Sequence, residues 1–267
     1  MTDGGAIPGM DLTRPSIARA YDYMLGGKDN YAVDREVGDQ IKQNLPGAQA
    51  IAVENRKALV RAVREMTAGR GMRQFLDIGS GLPTADNVHQ VAQRHAPGTR
   101  VVYVDNDPVV LAHGRALLEE NDRTTVVQAD LREPQRIRDD AAVRKLIDFD
   151  RPVGVVLCAI LHHLNDDEDP AAVVRYWIDQ VPSGSFFYIS HFRTEHNPET
   201  AEIEGILQQS FGRGRWRDDD EIRALFEGLE IVEPGLVPTT EWMPDHDGHR
   251  ELTVWERMIV AALAVKP

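Results

Sequence analysis

Apolar and polar positions fall into two periods along this chain. Between residues 70 and 192, short apolar runs alternate with segments of helical spacing. The runs are Phe75-Leu76-Asp77-Ile78, Arg100 to Asp105, Thr124 to Val127, Pro152 to Cys158 and Ser185 to His191. Short runs that stay apolar rather than alternating suit strands buried on both faces. Ala85 to His95, Pro108 to Glu119, Pro134 to Leu146 and Pro170 to Gln180 carry the helical period between them. Strand and helix in turn predict an α/β sheet of parallel strands with crossover helices.

Before the first run the spacing is helical only. Ile17, Ala20, Tyr21, Met24 and Leu25 make one apolar face, which Gly26-Gly27 ends. Val33 to Gln43 and Ala48 to Thr67 read as two more helices. The chain is therefore expected to divide into a flexible leader (1–13), a helical lid over the ligand edge (14–69) and a binding domain (70–267). Tyr21 to Tyr31, aromatic and polar around a glycine break, reads as a lid turn with a side toward substrate, or equally as a plain helical hairpin. After the fifth strand come helices at Pro198 to Ser210 and Asp218 to Phe226. Strand candidates follow at Leu229 to Val232, Pro234 to Glu241 and Glu256 to Val265, predicting an antiparallel hairpin on one edge of the sheet.

The chemistry gathers at the strand ends. Asp77-x-Gly79-x-Gly81 closes the first strand, Asp105-Asn106-Asp107 the second and Asp130-Leu131 the third. Glycine admits a ligand close to the backbone, and a following helix start favours an anion. Open α/β sheets bind ligands at this edge. Three acids there point to a cofactor that bears a nucleoside.

Composition narrows the partners. The chain has 267 residues, 42% hydrophobic and 27% charged, enough for one large domain. With 43 acids against 30 bases the formal charge is -13, which repels phosphates and anionic lipid, so neither nucleic acid nor a membrane is the expected partner. The one cysteine, Cys158, allows no disulfide within the chain. Met1 to Met10 resembles no signal peptide, and Met258 to Val265 is too short to span a bilayer, so a cytoplasmic location is expected. Asp166 to Asp169 reads as helix capping, and Asp245-His246-Asp247-Gly248-His249 as an exposed loop, so no metal is expected. Oligomeric state is not legible.

These motifs resemble S-adenosylmethionine-dependent methyltransferases of the Rossmann-like class. Asp77-Ile78-Gly79-Ser80-Gly81-Leu82-Pro83-Thr84, Tyr103 to Pro108, Ala159 to Leu164 and Tyr21 to Asp29 are similar to a bacterial family described as S-adenosyl methyltransferase. The resemblance implies a doubly wound, seven-stranded, mostly parallel sheet with an antiparallel C-terminal strand pair, and S-adenosyl-L-methionine as cofactor. It implies that Gly79, Ser80 and Gly81 pass under the methionine end while Asp77 meets the ammonium. Asp105 would then hold the ribose hydroxyls, Asn106 would flank the adenine, Asp130 and the Leu131 N–H would bind its edge, and Ala159 would line the methyl region.

Methyl transfer is an in-line displacement, to a small-molecule acceptor on this reading, and needs a base only if the acceptor must lose a proton. His162 and then His191 are the candidate bases. Tyr21, Tyr23, Tyr31 and His163 are candidates for the acceptor site. Two alternatives remain: a sensor or accessory subunit that binds S-adenosylmethionine or S-adenosylhomocysteine without turnover, and an NAD-dependent oxidoreductase. The second lacks its third glycine, because Thr84 stands there, and no Tyr-x-x-x-Lys pair follows the fourth strand.

Overall fold

The computed structural model describes residues 11–84, 86–117, 121–194, 198–244 and 251–267. Most of the expected leader, and all of Asp245 to His249, lie outside the described residues. Three helices come first: α1 (Ile17–Met24), α2 (Ala32–Asn44) and α3 (Ala48–Arg64), the last running into a wider turn at Glu65–Gly69. The alternating part holds β1 (Gln74–Ile78), α4 (Val88–His95), β2 (Arg100–Asp105), α5 (Pro108–Leu117) and β3 (Thr124–Gln128). It continues with α6 (Pro134–Asp139), α7 (Ala141–Leu146), β4 (Gly154–Cys158), α8 (Pro170–Gln180) and β5 (Phe186–Phe192). The tail adds α9 (Pro198–Phe211), α10 (Asp219–Ala224), β6 (Glu230–Ile231), β7 (Val237–Pro238) and β8 (Ile259–Val265).

The strands form one sheet in the order β3-β2-β1-β4-β5-β8-β6, with β7 also paired to β8. β1 to β5 are parallel, and β8 runs antiparallel beside β5 from Phe186↔Val265 to Phe192↔Ile259. The C-terminal strand is thus inserted beside the parallel core. The two strand candidates at Leu229 to Val232 and Pro234 to Glu241 are short pieces, β6 and β7, with Pro234-Gly235 between them, where proline lacks the N–H a ladder needs; counting both, the sheet has eight strands where seven were expected. Chain order reverses between β1 and β4, which opens a crevice at their C-terminal ends.

Alternation along the strands separates two cores. Leu76, Ile78, Val102, Val104, Val155 and Leu157 face one layer, with Ile137, Val143, Val174 and Trp177 from α6, α7 and α8. Phe75, Val101, Tyr103 and Val156 face the other, with Leu59, Ala62 and Val63 of α3 and Val88 and Val91 of α4. α3 therefore packs on the sheet along its C-terminal half, while its first turns join α1, α2 and α9 in a third cluster with Met24, Ile41, Leu45, Ile51 and Ile203.

Two expected helices differ for reasons of capping. Pro134 to Leu146 is broken because the Asp140 carboxylate accepts from Ala142 N at 2.7 Å, which starts a new helix. The helix expected from Ala85 begins instead at Val88, after an Asn87–Gln90 capping box, so a loop and not a helix N-terminus follows Gly81. No helix among the described residues is long and apolar enough to cross a membrane.

Candidate functional site

The crevice opens into a cavity of about 700 Å³ beneath α1, α2 and α3. Asp77 enters it from the end of β1. Residues alternate across the strand, so Asp77 shares the face of Phe75 and looks toward α3. It is 3% exposed, and its carboxylate has no hydrogen bond among the described residues. Burial, only partly offset by the Arg56 charge, pushes its pKa up to about 7. The turn that follows is pinned to β2: Gly79 N and Ser80 N both donate to Val104 O, at 2.8 and 3.1 Å. Gly79 has φ +73° and a Cβ there would meet Ile160 Cγ1 at 2.3 Å; Gly81 has φ +67° and faces open space. Ser80 Oγ is buried without a partner.

Asp105 ends β2 with both oxygens engaged on one side, Oδ2 accepting from Gly81 N at 2.9 Å and Oδ1 from Asp107 N at 3.0 Å. Burial pushes its pKa up to about 6. Each oxygen keeps a second acceptor direction for a ligand. Asn106, Asp130 and Leu131 line the same region. Asp130 is held by Arg132, whose Nε and Nη2 reach it at 2.9 and 2.5 Å; those bonds keep its pKa below the ordinary value. Ala159 at the end of β4 takes φ +52°, fixed by its N–H donating to Ser190 O and Oγ at 3.1 and 2.9 Å. A non-glycine residue held in the left-handed region beside a cavity stores about 1 kcal/mol or more of strain.

The histidines divide. His162 and His163 line the cavity, and His191 does not. His191 is fully buried within β5; its Nδ1–H donates to Phe192 O at 2.6 Å and its Nε2 accepts from Arg217 at 3.2 Å. Burial depresses its pKa to about 3, so the expected role as a base is replaced by a structural one. His162 accepts from Phe192 N at Nδ1, 3.4 Å, which leaves the proton on Nε2. Burial, with neighbouring imidazoles and Arg217, holds it neutral well below pH 6.5. His163 is depressed to about 4, by burial and then by the Arg213 charge.

Of the three tyrosines only Tyr21 lines the cavity. Its hydroxyl donates to Ala52 O at 3.1 Å and accepts from Asn55 Nδ2 at 3.0 Å, and burial raises its pKa far above the usual phenol value. Tyr23 points outward to Asp39 at 2.6 Å, with Lys42 over its ring. Tyr31 precedes α2, where its N–H donates to Asp34 at 2.9 Å, and Arg19 lies over its ring. The segment that looked substrate-facing is a self-bonded turn. Asp22 accepts from Asn30 Nδ2 and Asp29 N at 2.8 and 3.0 Å, and a Cβ on Gly27 would strike its Oδ1.

Arg56, Asn55 and Ser16 are contributions that sequence reasoning did not find. Arg56 lines the cavity from α3, its Nη2 donates to Asp86 O at 3.1 Å, and its Nε is buried without a partner. Ser16 caps α1 and its hydroxyl donates to Asp107, which ties the N-terminal helices to the turn after β2. Helical spacing marks none of the three. Only Ser16, just before an apolar period, carried a local capping signal.

A doubly wound sheet with its glycine turn at β1 and acids at the ends of β1 and β2 defines a Rossmann-like fold of the class that binds nucleoside-bearing cofactors. The family model for S-adenosyl methyltransferase matches residues 4–267, and the chain belongs to that family. A candidate methyltransferase from Thermobifida fusca is similar at 42% identity, TM-score 0.93, over 97% of each chain. A DUF574 family protein from Streptomyces avermitilis is similar at 39% identity and TM-score 0.91, over 96% of this chain and 99% of that one. The N-methyltransferase NodS from Bradyrhizobium japonicum, solved with S-adenosyl-L-homocysteine, shares the fold at 12% identity and TM-score 0.50, over 93% of this chain and 99% of that one. No curated protein matches. The protein is an enzyme of the methyltransferase class with S-adenosyl-L-methionine as cofactor. Neither the non-catalytic binder nor the NAD-dependent oxidoreductase receives support.

Proposed function

We propose that the enzyme transfers a methyl group to a small-molecule acceptor held beneath the N-terminal helices, which act as a lid. Bound S-adenosylmethionine supplies a methyl group already activated on a cationic sulfur. The residues fit that cofactor on one observation above all: Asp77 is a buried carboxylate with no protein hydrogen bond among the described residues, aimed into the cavity. An unpaired buried carboxylate is costly unless a cation reaches it. The cofactor's ammonium would be that cation, and Asp77 would stay ionised beside it.

The other roles follow from chemistry. Arg56, with its unpartnered Nε, complements the carboxylate at the same end. Gly81 leaves room where a side chain would fill the cradle. Asp105 accepts from the ribose hydroxyls on the side its two backbone donors leave open. Asn106, Asp130 and the Leu131 N–H surround the adenine. Because Arg132 already occupies Asp130, that carboxylate orients the loop at least as much as it reads the base.

Catalysis is alignment and exclusion of water rather than proton abstraction. Tyr21 donates its proton to a carbonyl, and the Cys158 thiol is pushed up to about 11 by burial. His162 spends its one acceptor nitrogen on Phe192 N. Holding acceptor and methyl group in line in a closed cavity replaces a bimolecular encounter by a positioned one, worth several kcal/mol. The test is to incubate the enzyme with methyl-tritiated cofactor and a cell extract split into small-molecule and macromolecular fractions. Label is expected in the small-molecule fraction; label confined to protein or nucleic acid would refute the proposal.

A further inference from the structure

The cavity has a second half, beyond the cofactor residues. Met24, Ile41, Leu45, Ile51, Leu207 and Phe211 line it from α1, α2, α3 and α9. Among the described residues, the acids that line the cavity are Asp11, Asp77, Asp105, Asp107 and Asp130. None belongs to α2, α3, β5, α9 or the loop after α9. An amine entering this half as a cation would lose its water and meet no counter-charge among the described residues.

The charge present there is positive. Arg213, in the loop after α9, lines the cavity and makes one ion pair among the described residues, Nη2 to Glu168 Oε1 at 2.9 Å. It ends a chain of alternating charges, Asp130–Arg132–Glu168–Arg213. Its remaining donors meet no second carboxylate among the described residues. His163 is its neighbour: Arg213 acts on it electrostatically, and its ring has no hydrogen bond among the described residues. A guanidinium and a neutral imidazole N–H therefore stand together at the edge of an apolar chamber, both with donors to spare among the described residues.

Among the described residues the same wall offers no effective base. His163 protonates only near pH 4. Taking a proton from a phenol of pKa about 10 would be unfavourable by ~10⁶-fold, and an alcohol would be worse. The acceptor has to arrive as a nucleophile.

Resting on the methyl-transfer reading above, we propose that the acceptor is a carboxylic acid on an apolar body, bound as its carboxylate by Arg213 and His163, and that the product is its methyl ester. A carboxylate is fully ionised at neutral pH and needs no base. One carboxylate oxygen forms the bond to the methyl carbon, the carbon–sulfur bond breaks, and its electron pair goes to sulfur. No proton is taken up or released. An anion and a cation are consumed and two less charged products form, so the apolar, water-poor wall favours the step.

The test uses the full chain with methyl-tritiated S-adenosylmethionine. The panel contains straight-chain and aryl acids (hexanoate, octanoate, decanoate, benzoate, phenylacetate, cinnamate) and the alcohol, phenol and amine matched to each size. Methyl esters release volatile labelled methanol in alkali, whereas ethers and methylamines do not. Alkali-labile label on at least one acid is expected. Arg213→Gln is expected to raise KM for that acid by about tenfold or more, with S-adenosylhomocysteine affinity within about twofold of wild type. Alkali-stable label on alcohols, phenols or amines would overturn the proposal, and so would no ester from any acid by a preparation that binds S-adenosylhomocysteine. Calorimetry on that preparation separates the two readings, because absent binding means that the cofactor assignment itself has failed.

Discussion

Replacing Asp77 with asparagine removes a buried charge while keeping the shape of the cavity wall. In the cofactor-free enzyme the Asp77 pKa is raised from 3.8 to about 7, chiefly by burial. Folded protein therefore holds a proton that the unfolded chain has released, and stability falls as pH rises through the window from 3.8 to about 7. Each pH unit in that window costs about 1.4 kcal/mol, so the loss is about 1.5 kcal/mol at pH 5 and about 4 kcal/mol at pH 8. Asparagine does not titrate. The stability of Asp77→Asn relative to wild type should then rise by roughly 2–3 kcal/mol between those pH values, whatever the amide itself costs. Urea unfolding of both proteins without cofactor, at pH 5 and pH 8, measures this double difference. The same variant should lose most of its S-adenosylhomocysteine affinity, since the ammonium loses its partner. A double difference of zero or of opposite sign would refute the burial argument. Undiminished affinity would refute the assignment of Asp77 to the ammonium.

Further outcomes follow from the geometry around that site. Gly79→Ala should destabilise by about 2 kcal/mol or more, from a left-handed φ and a collision with Ile160; Gly81→Ala should cost about 1 kcal/mol of stability but lower cofactor affinity more, because a Cβ there meets no protein atom and Gly81 lines the cavity. Thermal melts with and without S-adenosylhomocysteine separate the two. Ser16→Ala removes the α1 cap and the bond to Asp107, so it should cost about 1 kcal/mol and speed cofactor release in stopped-flow chase experiments. His163 and His191, depressed to about 4 and about 3, stabilise the fold above pH 6.5, and that stability drains as pH falls from 6.5 toward those values. His191→Gln should flatten part of this acid limb in melts run from pH 7 to pH 4.

What could be read from the chain was what local geometry dictates. A strand that ends in an acid followed by alternating glycines needs positive φ at Gly79 and Gly81, and both have it. The strand runs gave the alternation of strand and helix but not the order of strands in the sheet, and Asp105 and Asp130 came with them because acids at the C-terminal ends of parallel strands fall on one edge. Arg56 and Arg213 were not legible, since helix packing and a loop fold, not spacing, bring them to the cavity. The tyrosines misled for a related reason. Tyr23 and Tyr31 sit in a motif dense in aromatics, yet the motif serves the turn that Asp22 and Gly27 close, and only Tyr21 faces inward. His191 misled because parity along β5 turns it to the side of Phe187 and Ile189, where Arg217 meets it.

The cavity at the C-terminal ends of the parallel strands holds S-adenosylmethionine, on this reading, through the acids that end β1 and β2. Calorimetric titration of the purified protein with S-adenosylmethionine and S-adenosylhomocysteine, beside Asp105→Ala, tests it most directly. The account expects micromolar binding by the wild type and a loss of about 100-fold or more in the variant, as two charge-assisted hydrogen bonds to ribose disappear. Equal binding by both folded proteins would contradict the ribose assignment, and no binding by a folded wild type would contradict the account as a whole.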